Sequence, residues 1–181
     1  IDHARLADPV FIEKGATRIL ECWEDDVSDG KVTDFRRAVQ ATDDESVVFS
    51  WIEWPDKATR DAGMAKMMAE GFSDPRMDDN PMPFDGKRMI YGGFEPIVEQ
   101  GEHSSDSYVQ GFIIPVPVGK REAYRKMAED AWVMFKGYGA LRVVEAWGDD
   151  VPDGKVTDFR RAVKAEPDEQ VVFSFKQWPS R

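Results

Sequence analysis

The sequence predicts a fold of the α+β class, assembled from ferredoxin-like units. Two observations support this prediction. One long segment occurs twice along the chain, and each copy combines strand-like stretches of β-branched and aromatic residues with the three- and four-residue spacing of an amphipathic helix. Of the 181 residues, 41% are apolar and 12% are aromatic, which is enough to bury a core.

The duplicated segment organises the chain. Residues 11–55 and 135–179 align without a gap at an offset of 124 residues, and 29 of the 45 aligned positions are identical. The longest identical run, residues 29–39, recurs as residues 153–163. Solenoid repeats have periods of roughly 20–50 residues. Each copy is therefore expected to be a domain rather than a stacking unit.

The two copies are incomplete in complementary ways. We predict a first unit at residues 1–97 that lacks its leading strand, a polar linker at 98–107, and a second unit at 108–181 that lacks its last helix and strand. We hypothesise that residues 56–97 complete the second copy. Residues 1–55 would then pack as a partial barrel half or exchange between chains.

The elements of one unit follow from residue patterns. β-branched and aromatic residues ending in prolines predict a first strand at 108–117, and apolar residues at helical spacing followed by glycines predict a helix at 120–136. A Pro-Asp-Gly turn between two β-branched stretches predicts a hairpin of strands at 141–147 and 156–163. The remaining elements are a strand at 171–178, a helix at 56–70 and a strand at 89–94. The predicted order is β-α-β-β-β-α-β.

Composition limits the classes of partner. The 24 Lys and Arg residues against 35 Asp and Glu give a net charge of −11, which disfavours nucleic acid and anionic membranes as partners. No stretch approaches the roughly 20 apolar residues of a membrane helix. The single cysteine, Cys22, cannot form an internal disulfide, so a cytoplasmic location is expected. We expect no cofactor, because phosphate-binding and zinc-binding motifs are missing from the sequence.

Three stretches carry a resemblance to a known family: EAWGDDVPDGKVTDFRRAV at 145–163, VVFS at 171–174 and PFDGKRMIYGGF at 83–94. With them the chain resembles, over nearly its whole length, the YbaA-like family of uncharacterised bacterial proteins. The resemblance implies a dimeric α+β barrel, in which two ferredoxin-like units pack sheet to sheet. It implies no particular catalytic residue. Two linked copies would imitate that dimer covalently, because a linker raises the effective concentration of one half for the other.

The candidate ligand-binding residues come from the repeat: Arg37, Arg161, Glu21, Glu145, Trp23 and Trp147. On a strand at 156–163, side chains alternate between faces, so Arg161 would share a face with apolar residues. Arg161 and its equivalent Arg37 are predicted to bind an anionic group by bidentate hydrogen bonds, with Glu145 or Glu21 as base or salt-bridge partner. The alternative is an interface ion pair between barrel halves. The tryptophans either wall a small-molecule cavity or fill the core.

Two other kinds of site are disfavoured. The acidic loop at 25–30 has Val27 at the third position and Arg36 at the twelfth position of an EF-hand pattern, so we expect a hairpin turn and no metal. Cys22 is not expected to be a nucleophile, since its equivalent in the second copy is Ala146.

Two hypotheses of function remain. The first is a barrel that binds a small, anionic organic molecule between its sheets, and the sequence leaves open whether it is an enzyme. The second is a non-catalytic oligomerisation or interaction module, with self-association as a dimer or a strand-exchanged oligomer. A pocket with convergent polar groups would favour the first hypothesis, and a fully packed barrel would favour the second.

Overall fold

The computed structural model describes residues 2–71 and 74–181. Along the chain its main elements are α1 (Asp2–Glu13), β1 (Arg18–Trp23), α2 (Phe35–Ala38), β2 (Val48–Glu53), α3 (Lys57–Ala69), β3 (Gly93–Gly101), β4 (Tyr108–Pro117), α4 (Arg121–Gly137), β5 (Arg142–Asp150), α5 (Phe159–Ala162) and β6 (Glu169–Trp178). Short 3₁₀ helices occur at Pro75–Met77 and Val118–Lys120. The described strands form two open antiparallel sheets, so the protein is α+β, and these strands do not close a barrel.

The chain divides into two compact units. The first unit contains Ile1–Asp25 and Ser46–Gly86, and the second contains Asp26–Glu45 and Lys87–Arg181. In the first unit, β1 and β2 pair as a two-stranded antiparallel sheet, with α1 and α3 in the same unit. In the second unit, four strands form an antiparallel sheet in the order β3-β5-β6-β4, and α4 contacts three of these strands.

The core of the second unit lies around its two central strands. Strands β5 and β6 are buried along most of their length, because neighbouring strands satisfy their backbone groups and both faces are covered. One cluster on the α4 side joins Val116, Trp147 and Val172. Strand β4 occupies an edge of the sheet, where Pro115 and Pro117 cost no ladder hydrogen bond.

A strand from the segment after the first copy completes the sheet of the second copy. Strand β3 pairs with β5 from Gly93 with Asp150 to Gly101 with Arg142. The hypothesis that residues 56–97 complete the second copy is therefore correct for this strand. The helix α3 belongs instead to the compact unit of the first copy. Strand β3 begins later than the predicted strand at 89–94 and extends to Gly101.

The predicted strand at 156–163 is wrong. This stretch contains the four-residue helix α5, and the identical stretch of the first copy contains α2. Asp158 begins α5 as its N-cap, with an extended backbone and a side chain that accepts a hydrogen bond from the Arg161 N–H. Its capping bond outweighs the strand preference of the valine, threonine and phenylalanine nearby. The second copy therefore has the order β4-α4-β5-α5-β6, and Arg161 does not lie on a strand face.

Candidate functional site

Each copy presents one arginine on a tightly closed turn that leads into a short helix. In the second copy, Asp158 accepts hydrogen bonds from the Arg161 N–H at 2.8 Å and from the Gly154 N–H at 3.1 Å. The Arg161 Nη1 atom donates to the Gly154 carbonyl at 2.7 Å, and its Nε atom lies 3.3 Å from the Asp158 carboxylate. Two separate contacts therefore fix the guanidinium group, although its side chain stays 54% exposed.

The first copy repeats this turn. Asp34 accepts from the Arg37 N–H at 2.8 Å and from the Gly30 N–H at 3.2 Å, and Arg37 Nη1 donates to the Gly30 carbonyl at 2.6 Å. The hydrogen bond from the Arg37 N–H is the main cause that lowers the pKa of Asp34, since it stabilises the charged carboxylate. The sequence identity of residues 29–39 and 153–163 thus preserves one geometry.

A reciprocal pair of hydrogen bonds joins the two turns. The Thr33 Oγ1 atom donates to the Ala162 carbonyl at 2.6 Å, and the Thr157 Oγ1 atom donates to the Ala38 carbonyl at 2.7 Å. Thr157 and Ala162 are the equivalents of Thr33 and Ala38 at the offset of 124 residues. The contact is therefore isologous within one chain, because the same patch of each copy contacts the other copy's patch.

A pocket of about 220 Å³ opens at this contact, and residues of both copies line it. Three of the lining residues carry positive charge: Arg37, Arg161 and Lys164. The lining contains no acidic residue. A second, more open pocket of about 430 Å³ lies beside α2, but Asp29 and Asp34 line it together with Arg36 and Arg37. The smaller pocket is therefore the one suited to an anion.

Two of the residues that line the smaller pocket have a strained backbone. Gln40 and its equivalent Lys164 have φ angles of 52° and 54°, in the left-handed region that side chains with a Cβ rarely adopt. Both residues line the pocket. Glycine or asparagine would make the same turn at lower cost, since a non-glycine residue in this region costs roughly 1–2 kcal/mol. Both positions carry long polar side chains despite that cost.

Glu145 and Trp147 lie at a different place, on the α4 side of β5. The Tyr124 hydroxyl donates to Glu145 Oε2 at 2.7 Å, and Trp147 packs in the cluster with Val116 and Val172. Ser174, a residue that is 1% exposed, pairs with Glu145 across the strands, and its hydroxyl has no hydrogen-bond partner among the described residues. Trp147 therefore fills the core, which is one of the two alternatives that the sequence left open for it.

Lys176 lies near Glu145, Tyr124 and Ser174 on the α4 side of the sheet. Its Nζ atom lies 4.3 Å from the centre of the Phe112 ring and 4.6 Å from that of Phe135. Burial lowers the pKa of Lys176, although the charge of Glu145 acts in the opposite direction. The residues Tyr124, Ser174 and Lys176 were not among the sequence-based candidates, because nothing in their spacing marks them.

Glu21 and Trp23 lie on β1 in the first unit. The Ser50 hydroxyl donates to Glu21 Oε2 at 2.6 Å, and burial raises the pKa of Glu21. Trp23 is 65% exposed, in contrast to its buried equivalent Trp147. Burial also raises the pKa of the neighbouring Cys22 thiol to about 12, which keeps it in the unreactive thiol form.

The structure brings the six candidates together only in pairs. Arg37 and Arg161 meet at the α2–α5 contact, whereas the other four lie two by two on β5 and β1. The sequence analysis missed Lys164 and Gln40 as pocket residues. Their position in the sequence could have identified them, because each of the two residues directly follows the identical run of the repeat.

The described residues contain neither a membrane-spanning helix nor a cluster of metal ligands. In that part of the chain, no helix is both long enough and apolar enough to cross a membrane. Residues 2–71 and 74–181 also contain no group of three or more His, Cys, Asp or Glu side chains that could hold a metal ion.

The sequence is similar to those of known proteins. Over 101 residues, or 55% of the chain, it is 62% identical to the "Uncharacterized protein YbaA" of Escherichia coli strain K12, of which it covers 83%. The same identity and coverage hold for the proteins of that name from Escherichia coli O157:H7 and Shigella flexneri. Residues 1–86 and 107–181 match the family described as "Protein of unknown function (DUF1428)", in two segments that correspond to two incomplete copies. The chain therefore belongs to the DUF1428 family, as a YbaA-like tandem.

Proposed function

We propose that the chain binds a small organic anion in the pocket between α2 and α5. The observation that carries this proposal is the convergence of Arg37, Arg161 and Lys164 on one pocket without an acidic lining residue. Arginine recognises carboxylate and phosphate groups through paired N–H donors, and hydrogen bonds to charged groups contribute roughly 1.5–3 kcal/mol each. A net charge of −11 does not oppose this, because the cations are local and the ligand is small.

The pocket also limits the size and shape of the ligand. Its volume of about 220 Å³ is below the roughly 300–1,000 Å³ of pockets for drug-sized ligands. The two arginines occupy equivalent positions of an isologous contact, so they favour a ligand with an acidic group at each end. A dicarboxylate of a few carbon atoms meets both conditions.

Titration calorimetry with oxalate, malonate, succinate and glutarate tests this proposal. We expect saturable binding of at least one member, and replacement of Arg37 and Arg161 by glutamine should weaken it at least tenfold. Lys155→Gln is the matched control, because Lys155 has the same charge, lies in the same turn and does not line the pocket. Equal loss of affinity in the control would show only a general charge effect and would contradict the proposal.

Lys164→Asn separates binding from stability. Asparagine tolerates the left-handed backbone better than lysine, so the free energy of unfolding should stay the same or rise by up to about 1 kcal/mol. The same change removes one cation from the pocket, so the affinity for the dicarboxylate should fall. A variant that is no less stable but binds as tightly as the parent would contradict a binding role for Lys164.

A second candidate function is self-association, and the two-stranded sheet of the first unit favours it. In the second unit, β5 and β6 each have a strand on both sides. Their equivalents β1 and β2 pair only with each other among the described residues. Open strand edges are templates for another chain, so strand exchange or assembly into a dimeric barrel would satisfy them. Mixing two differently tagged chains and measuring native masses tests this, and strictly monomeric, non-exchanging species would contradict it.

A further inference from the structure

In the first copy, helix α3 rests on a small platform formed by Lys14, Gly15 and Trp54. A Cβ atom placed on Gly15 would lie 2.9 Å from Thr59 Cγ2. A Cβ atom placed on Gly63 would lie 2.8 Å from the Lys14 carbonyl oxygen and 2.9 Å from the Trp54 ring. The helix therefore approaches so closely that its contact residue has no room for a side chain.

The second copy has an equivalent platform, defined by the residues at the offset of 124: Tyr138, Gly139 and Trp178. Its tryptophan is placed differently, because Trp178 belongs to β6 and lies more than 4 Å from a Cβ placed on Gly139, whereas Trp54 follows β2 and lies 3.9 Å from a Cβ placed on Gly15. The two glycines share a left-handed backbone, with φ angles of 112° for Gly15 and 95° for Gly139. Equivalent hydrogen bonds close both turns, since the Gly15 N–H donates to the Ile12 carbonyl at 3.0 Å and the Gly139 N–H donates to the Lys136 carbonyl at 3.0 Å.

The platform of the second copy is uncovered. No atom of the described chain, apart from the sequence neighbours of Gly139, lies within 4 Å of a Cβ placed on that residue. Tyr138 is 78% exposed. Together with Met127 and Met134 of α4, Tyr138 forms an exposed apolar stripe. These three residues share one helix face, because Met134 follows Met127 by seven residues and Tyr138 follows Met134 by four.

We propose that the platform formed by Tyr138, Gly139 and Trp178 is a docking site for a helix with the contact residues of α3. The docked helix places a glycine against the Tyr138 carbonyl and the Trp178 ring, and a threonine four residues earlier against Gly139. The internal duplication specifies this occupant, because the equivalent platform holds α3 by these contacts. The occupant is thus a short helix with a small residue at its contact point.

One charge difference between the copies gives the proposal a gain-of-affinity test. In the first copy, Lys14 Nζ donates to Glu70, just after α3, at 2.8 and 2.6 Å. Tyr138 occupies the position of Lys14 in the second copy, so a docked α3 helix lacks this ion pair there. Tyr138→Lys introduces a charge complementary to Glu70 of the docked helix. Because Tyr138 is exposed, we expect this substitution to change the free energy of unfolding by no more than about 0.5 kcal/mol.

The experiment adds a fluorescein-labelled peptide of residues 55–71 to the full chain and follows fluorescence anisotropy. We expect saturable binding with a Kd below about 1 mM. A peptide with Gly63→Val should bind at least tenfold more weakly, because a side chain there meets backbone and a ring. Equal binding of the two peptides would overturn the proposal.

The ion pair is measured as a double-mutant cycle. Tyr138→Lys should tighten binding of the parent peptide by about two- to fivefold, the range for a partly exposed pair. The peptide with Glu70→Gln should lose that gain and bind Tyr138→Lys no better than the parent chain. The absence of any coupling between the two positions would show that the peptide does not dock in the orientation of α3.

A tethered form removes the ordering cost of a short peptide, since isolated helices of this length are marginal in water. Residues 55–71 appended after Arg181 should raise the thermal midpoint of the chain, whereas the same extension with Gly63→Val should not. If the peptide fails to bind and the two extensions give equal midpoints, the platform is not a site for this helix.

Discussion

At the residue scale, the hydroxyl of Thr157 ties one copy to the other. It donates to the Ala38 carbonyl at 2.7 Å in a buried position, and Thr33 makes the equivalent bond to Ala162 at 2.6 Å where it is less buried. Thr157→Val keeps the shape but leaves a buried carbonyl without a partner, so the free energy of unfolding should fall by about 1–3 kcal/mol. Thr33→Val should cost less, about 1 kcal/mol. Urea denaturation measures the free energy of unfolding of both variants, and Thr157→Ser, which keeps the hydroxyl, is the control. A Thr157→Val variant as stable as the parent would contradict a stabilising role for this hydrogen bond.

Glu21 makes stability depend on pH in an unusual direction. Burial raises its pKa above the ordinary value of 4.5, so the folded state prefers the neutral carboxyl. The stability that this preference gives is complete below pH 4.5 and is lost as the pH rises through the raised folded-state pKa. Glu21→Gln mimics the neutral form and should therefore raise the thermal midpoint at pH 7, with the difference shrinking towards pH 4.

Glu45 makes stability depend on pH in the opposite direction to Glu21. The guanidinium of Arg88 is the main cause that lowers its pKa from 4.5 to about 2. Its stabilising effect is present above pH 4.5 and is lost as the pH falls through about 2. Glu45→Gln should thus lower the midpoint at pH 7 and converge with the parent near pH 2, as thermal scans over this range would show. The same sign of change for both glutamate variants at pH 7 would contradict these assignments.

At the element scale, the turn before α5 depends on the close approach of Gly154 to the backbone of Thr157. A Cβ atom at Gly154 would lie 1.9 Å from the Thr157 carbonyl oxygen, so Gly154→Ala forces the turn open and should cost about 2–4 kcal/mol. Gly137, the last residue of α4, is the matched control because no other group lies within 4 Å of its added Cβ in the described chain. Gly137→Ala should stabilise by about 0.5–1 kcal/mol. Thermal unfolding would contradict the argument if both alanines had the same effect.

The same turn shows what the sequence could and could not predict. The helix α4 and the strands β4 and β6 were predictable, because their apolar spacing and their prolines act locally. The α5 segment was misread, since β-branched residues favour a strand until the Asp158 cap is weighed against them. Arg37 and Arg161 were identified from the repeat. Their meeting at one pocket was not predictable, because it arises from tertiary pairing of two segments 124 residues apart.

At the scale of the whole molecule, the duplication places two similar sequences in different surroundings. The second copy contributes β5 and β6 to a four-stranded sheet that is completed by β3 and β4, whereas β1 and β2 of the first copy pair only with each other in the part of the chain that the structure describes. Two-stranded sheets are marginal in water unless a further strand or a helix supports them. We therefore expect the number of neighbouring strands to decide the difference in local stability between the two copies.

Native-state hydrogen exchange can measure this difference at matched positions. Ile19 and Leu20 pair across β1–β2 in the same register as Val143 and Val144 across β5–β6, so each amide has an internal reference of similar sequence. We expect exchange in β5 to be slower by at least about tenfold, since opening there must also break the pairing with β3. Amides of β1 that point away from β2 should exchange fastest, because β3 protects only their equivalents in β5. Equal protection at matched amides would contradict this and would instead mean that β1 and β2 gain strand partners in solution, as self-association requires.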